Sequence, residues 1–232
     1  MTKWGRRVGA ADWASIADEL DTYGCALTPQ LMTPRECRDT AALYPQDERF
    51  RSTVDMARHR FGDGRYRYFD HPLPETIADL RESFYERLAP IANDWAGLIG
   101  GPTFPESHAK LLTLCRAAGQ ERPTPLILRY GPGDWNALHR DLYGEVYFPF
   151  QIVTVLTDEF EGGQFVLMEQ RPRAQSRAHV IEPPQGAFVI FPTRERPNAG
   201  ARGHHKVGLR HGVSTVESGS RTALGIIFHD AS

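Results

Sequence analysis

The chain has 232 residues, 41% of them hydrophobic and 24% charged, the balance of an ordinary globular protein. Its net charge of −2 argues against polyanion binding by the molecule as a whole, and Cys25, Cys37 and Cys115 are too few and scattered for a disulfide framework or a zinc site. A reducing cytosol is the expected compartment, because the polar, basic stretch 1–10 has no apolar run behind it and no membrane span is evident.

Residues 13–23 have helical apolar spacing, and 24–29 read as a short strand. Thr33-Pro34-Arg35-Glu36 is a capping box with proline at the first helical position, which predicts a helix to about Leu43. Pro74 opens a longer helix with Ile77, Leu80, Phe84, Leu88 and Ile91 on one face, continuing past Pro90 toward Leu98. Residues 106–118 form the last, with Leu111, Leu112 and Leu114 expected on the buried side. These helices are expected to buttress a sheet rather than to carry chemistry.

From Pro123 the periodicity changes. Residues 126–130, 146–157, 164–168, 179–181, 187–191, 207–216 and 222–228 are apolar or alternating runs divided by Gly, Pro and charged turns. Strands punctuated in this way predict an all-β barrel or jelly roll. The expected fold class is therefore mainly β with flanking α-helices. No repeat, low-complexity segment or linker divides the chain, so 1–232 is expected to be one domain, with 1–122 mainly helical and 123–232 the jelly-roll core.

One constellation in the strand-rich part specifies a chemistry. His139 and Asp141 stand at i and i+2, on the same side of an extended chain; His211 follows Asp141 by seventy positions, and Arg221 comes ten later. Two imidazoles and one carboxylate can occupy one face of an iron octahedron and leave the opposite face open, as in non-haem Fe(II) oxygenases. The guanidinium of Arg221 suits an acidic co-substrate such as 2-oxoglutarate, which it can hold by two parallel charge-assisted hydrogen bonds. A His-x-Asp pair alone is a weak signal, since it also describes a surface histidine beside a turn residue. The spacing to His211 and Arg221, with Gly162-Gly163 and Gly186 between strands, favours the metal reading. The chain from His211 to Arg221 reads as a strand, a turn at Glu217-Ser218-Gly219-Ser220, and a return strand beside the first.

Trp135 and Asn136 are expected at the mouth of this site, His204-His205 in a solvated loop, and His229 and Asp230 in structural roles. Two basic clusters stand out. One comprises Arg171, Arg173, Arg177, Arg194, Arg196, Arg202, Lys206 and Arg210, against Glu182 and Glu195. The other is Arg58, His59, Arg60, Arg65 and Arg67, interleaved with Phe61, Tyr66 and Tyr68. Basic residues beside aromatics can track a phosphate backbone and stack bases. A solvated surface is the favoured reading in a chain that prefers Arg and whose only lysines are Lys3, Lys110 and Lys206.

Residues 126–230 resemble the Fe(II)/2-oxoglutarate-dependent dioxygenases, whose fold is a double-stranded β-helix, a variety of jelly roll. Longer segments resemble one bacterial oxygenase family, described as acting in oxidative demethylation of damaged DNA. They are Met56-Ala57-Arg58-His59, Pro123-Thr124-Pro125-Leu126, Leu128-Arg129-Tyr130-Gly131, His139-Arg140-Asp141-Leu142-Tyr143-Gly144, Gly162-Gly163-Gln164-Phe165-Val166-Leu167, Glu169-Gln170-Arg171-Pro172-Arg173, Leu209-Arg210-His211-Gly212-Val213-Ser214 and Leu224-Gly225-Ile226-Ile227-Phe228-His229-Asp230.

The resemblance implies that His139, Asp141 and His211 bind Fe(II), that Arg221 holds the distal carboxylate of 2-oxoglutarate, and that Tyr130 donates a hydrogen bond to it, with O2 as the other co-substrate. Tyr130 read by itself is equally a core residue. Two positions depart from the pattern. Ala223 stands where the superfamily often has Ser or Thr, so a helper hydroxyl has to come from Thr222, from Thr154 or from nowhere. Ile227 stands where the well-known alkylation-repair dioxygenases carry a second Arg.

Three functions are weighed. Oxidative demethylation of an alkylated nucleobase would have damaged or methylated nucleic acid as partner. A hydroxylase of an amino acid, peptide or small metabolite fits the missing second Arg and the prolyl-hydroxylase-like run 154–165. A non-catalytic cupin-like binding protein is opposed by the intact ligand set.

Overall fold

The computed structural model describes residues 1–171, 174–201 and 203–232. The first part of the chain contains α1 (Lys3–Gly9), α2 (Trp13–Tyr23), β1 (Ala26–Gln30), α3 (Pro34–Ala41), β2 (Phe50–Asp55), α4 (Met56–His59), β3 (Gly62–Asp63), β4 (Arg65–Phe69), α5 (Glu75–Ile99) and α6 (His108–Ala117). The second part is β5 (Leu126–Tyr130), β6 (Trp135–His139), β7 (Phe150–Val155), β8 (Phe160–Gly162), β9 (Phe165–Gln170), β10 (Arg177–Ile181), β11 (Ala187–Pro192), β12 (Glu195–Gly200), β13 (Gly203–Val213), β14 (Val216–Gly219) and β15 (Arg221–Ile227). The protein is mixed α/β with antiparallel sheets.

One sheet has the order β1-β11-β7-β15-β5-β4-β2, and a second has β10-β9-β13-β6-β3 with β12 paired to β13. Alternation along β15 explains how they are used. Leu224 and Ile226 pack outward with Ile127, Ile152, Phe188 and Ile190 against Leu80, Phe84 and Leu88 of α5. These three α5 residues are fully buried, each contributing about 2 kcal/mol of apolar burial. The inward set, Arg221, Ala223, Gly225 and Ile227, faces a cavity instead. Phe165, Leu167 and Leu209 of the second sheet meet Val189 and Phe191 of the first in a separate apolar cluster, which joins the two sheets.

Two buried ion pairs fasten the layers. Arg81 of α5 donates to Asp230 (2.8 Å) and to the Ile227 carbonyl. Arg196 of β12 donates to Glu169 of β9 and to the Asp21 carbonyl near the end of α2. Such pairs are costly to break, because the surviving charge stays buried.

Several expectations are corrected. The front part is not simply helical: β4 and β2 extend the larger sheet, because Tyr66 and Tyr68 alternate inward against Arg65 and Arg67. The tyrosines of the second basic cluster are thus cavity walls rather than a surface stacking platform. On α6, Leu114 is exposed and Cys115 takes the buried position after Leu111. His204 and His205 lie on β13, paired with β12, whose sequence Glu-Arg-Pro-Asn-Ala-Gly carries no strand signal. The return strand β15 does not lie beside β13; it belongs to the opposite sheet. Arg173 and Arg202 of the first basic cluster lie outside the described residues. The cysteines are buried and free, and no helix among the described residues is long and apolar enough to cross a membrane.

Candidate active site

The site begins with a bulge. His211 pairs with His139 across β13 and β6, yet two positions on, Val213 pairs with Asn136, three positions back. The extra residue in β6 re-aims the strand, so that Asn136 and His139 both face the cavity while Trp135 and Leu138 face solvent. Gly212 permits this approach: a Cβ there would lie 2.6 Å from the Asn136 carbonyl oxygen.

Asp141 follows the end of β6 and folds back between the imidazoles. Its Oδ2 is 3.2 Å from His211 Nε2, and its Oδ1 is 3.6 Å from His139 Nε2. One ligand atom from each of the three residues lies within 4.8 Å of the others. The His139 Nδ1 lies 2.7 Å from the Ala137 carbonyl; donating there leaves the Nε2 lone pair free for a cation. Tyr143 donates to Asp141 Oδ1 at 2.6 Å, and Tyr68 donates to Tyr143 at 3.0 Å, so the carboxylate is oriented from behind. Burial opposes ionisation of Asp141, but hydrogen bonding and charge from His211, with His139 and Tyr143 adding, hold its carboxyl well below the usual range. Burial and the neighbouring His139 push His211 down, toward the neutral imidazole that binds metal.

Arg221 is the second feature. Its side chain is 1% exposed, it makes no ion pair among the described residues, and its Nε is buried without a hydrogen-bond partner. Burial lowers its pKa, opposed by Tyr130, whose ring lies 5.5 Å from the guanidinium. Tyr130 is directly across from Arg221 in the β5–β15 register. Its hydroxyl accepts from Asn136 (3.2 Å), and burial pushes its pKa up to about 12, so it remains a proton donor. The donor set of two imidazoles and one carboxylate fits Fe(II), and the unpaired buried guanidinium fits a carboxylate of 2-oxoglutarate.

A cavity of about 200 Å³ joins the triad, Arg221 and Tyr130. Tyr66, Tyr68, Tyr143, Phe165 and Phe191 wall it. Neither alternative hydroxyl completes it: Thr222 and Thr154 alternate with Ala223 and Val153, which face the cavity, and neither threonine lines it. Asn136 is in the site, Trp135 is 40% exposed and does not line the cavity, and His204 and His205 are exposed on the β12–β13 hairpin. His229 accepts from the Phe148 amide, and Asp230 pairs with Arg81; neither lines the cavity. Sequence reading missed Gln151, whose signal was one amide inside the apolar run 148–156. It lines the cavity at 4% exposure, with Nε2 unpartnered.

Residues 64–231 match the Oxygenase-NA family, described as an oxygenase catalysing oxidative methylation of damaged DNA. The chain belongs to this family. It is 46% identical over 209 residues to uncharacterized proteins of Mycobacterium tuberculosis strains CDC 1551 and H37Rv, covering 83% of this chain and 89% of each relative. Among solved structures, it is similar to a Pseudomonas putida prolyl-4-hydroxylase, with TM-score 0.56, 18% identity, and 95% and 99% of the two chains covered. It is also similar to a 2OG-Fe(II) oxygenase family oxidoreductase from Burkholderia pseudomallei, with TM-score 0.53, 17% identity, and 96% and 94% covered. The fold is that of the 2-oxoglutarate oxygenases, and this Oxygenase-NA member carries in His139, Asp141 and His211 a donor set that could hold Fe(II).

Proposed function

We propose that the protein oxidatively removes N-methyl groups from nucleobases, with Fe(II) held by His139, Asp141 and His211 and with 2-oxoglutarate held by Arg221 and Tyr130. On this reading the facing sheets are the walls of a double-stranded β-helix, and the chain works as one domain. The observation that carries the proposal is a single cavity joining three convergent ligand atoms, an unpaired buried guanidinium and a wall of aromatic rings.

Iron, 2-oxoglutarate and O2 together supply an oxidant able to take hydrogen from an unactivated C–H bond, with succinate and CO2 as by-products. The chain's own residues do the rest. Arg221 fixes the far carboxylate of the co-substrate, Tyr143 fixes Asp141, and the aromatic walls exclude water from the reacting atoms. Oxygen inserted at an N-methyl carbon leaves an N-hydroxymethyl group that releases formaldehyde and the unmodified base. This is the sense in which an oxygenase acts on methylation damage.

The cavity is too small for a paired duplex, so the base has to be everted or single-stranded. Its rim supports a nucleic-acid partner. Arg140 lines the cavity and donates to the Leu209 carbonyl (2.9 Å); the Leu209 amide donates to the Arg194 carbonyl; and Arg210 is the next residue. The charges of Arg210 and Arg194 act on Arg140, so three basic side chains gather at this part of β13, with Glu195 beside them, a place for phosphates. Buried Arg196 is not among them, being consumed by Glu169.

Incubating methylated oligonucleotides with protein, Fe(II) and 2-oxoglutarate, and following mass and formaldehyde, tests the proposal. Demethylated product is expected. Steady 2-oxoglutarate turnover with no mass loss from any methylated base would reject this substrate class. The small cavity also suits hydroxylation of an amino acid, peptide or small metabolite, and succinate release stimulated by such compounds but not by oligonucleotides would establish that reading. Failure to consume 2-oxoglutarate at all would leave a cupin-like binding protein.

A further inference from the structure

Gln151 is a buried carboxamide that makes no hydrogen bond through its Nε2 among the described residues. It stands on β7 between Phe191 of β11 and Ile227 of β15. An enclosed donor without a partner bears its full desolvation cost, and an apolar side chain of the same size would avoid it. The group and the triad line one cavity, and the ring of Phe191, its register partner, lies 4.7 Å from the His211 ring.

The co-substrate does not account for it. Arg221 and Ile227, the register partner of Gln151, are six residues apart on β15, about 20 Å of extended chain. The carboxyl carbons of 2-oxoglutarate are only about 5 Å apart. Between these ends the floor of the cavity is Ala223 and Gly225, which leave it open.

We propose that Gln151 selects the primary substrate, its carboxamide donating a hydrogen bond to the carbonyl oxygen of a neutral N-methylated nucleobase. This rests on the demethylase reading and names the class of base. A neutral ring is indicated because Arg140 lines the cavity, Arg221 is committed to the co-substrate, and the one lining carboxylate among the described residues, Asp141, is committed to the metal. A cationic lesion would meet the Arg140 charge and no free carboxylate among the described residues.

The test compares the full-length protein with Gln151→Leu on two oligonucleotides of one sequence, bearing either N3-methylthymine, neutral with carbonyls beside the methyl, or N1-methyladenine, cationic. The wild type is expected to prefer methylthymine, and Gln151→Leu to lower kcat/KM on it about tenfold or more, the worth of one hydrogen bond in a buried site. The Kd for 2-oxoglutarate should stay within about twofold of wild type. The ligand-free variant should unfold no earlier than wild type, since it loses an unpaired amide rather than a bond. Equal kcat/KM on methylthymine, a matching loss of 2-oxoglutarate affinity, or a lowered Tm would each overturn the assignment while leaving demethylation standing. A wild type that demethylates only methyladenine would also overturn it alone. A wild type that demethylates neither base while consuming 2-oxoglutarate removes the demethylase reading, and this proposal with it.

Discussion

Arg221→Met should make the ligand-free protein more stable and nearly abolish its response to 2-oxoglutarate. The stem of Arg221 is tightly packed: Gly163, at φ 62°, lies so close that a Cβ there would come 2.7 Å from Arg221 Cδ. Methionine keeps most of that volume and deletes the charge. An unpaired guanidinium at 1% exposure costs several kcal/mol, partly offset by the Tyr130 and Phe160 rings at 5.5 and 5.9 Å. A net gain of about 1–2 kcal/mol on its removal would raise Tm by about 4 °C in a chain of this length. Losing one partner of a buried carboxylate–guanidinium pair costs about 3 kcal/mol, which weakens 2-oxoglutarate binding by about 150-fold. At a concentration of about 100 times the wild-type Kd, the wild type gains about 2.7 kcal/mol of stability and the variant about 0.3. Scanning calorimetry with Mn(II), with and without 2-oxoglutarate, measures both effects. A variant that unfolds earlier than wild type yet keeps its affinity for 2-oxoglutarate would show that Arg221 is a structural residue.

Tyr143→Phe removes the 2.6 Å bond to Asp141 and should weaken divalent-metal binding about tenfold or more in a metal titration; unchanged affinity would deny the orienting role. The double variant Arg194→Ala, Arg210→Ala should weaken binding of a single-stranded oligonucleotide and flatten the dependence of log K on log salt by about one per arginine. Wild-type slopes would remove these residues from the partner surface. Burial pushes His108 to about 3 and His229 to about 4, with Arg81 acting in the same direction. Both are neutral when folded and take up a proton when unfolded below about 6.5, so stability is intact at pH 7 and falls as pH drops through that value. Each should cost about 1 kcal/mol between pH 7 and 5.5, read as urea midpoints, and His108→Gln should remove its share. A flat profile over that range would contradict the assignment.

The candidate triad was legible in the sequence because half of it is local. His139-x-Asp141 states an i, i+2 geometry, and the capping box at Thr33 starts α3 with both of its reciprocal bonds. The helical faces of α2 and α5 were equally plain from apolar spacing. What tertiary structure alone decided depends on pairing between remote segments. The short β2 and β4 gain their place only from β5, and β12 has no strand propensity apart from its pairing with β13. The bulge that turns Asn136 and His139 to the same side is a mismatch of register between strands more than sixty residues apart. A guanidinium or a carboxamide carries no mark in the sequence of whether the fold will supply its partner. Arg196 finds Glu169, whereas Arg221 and Gln151 face the cavity with donors still free, and only the arrangement of the surrounding chain makes that difference.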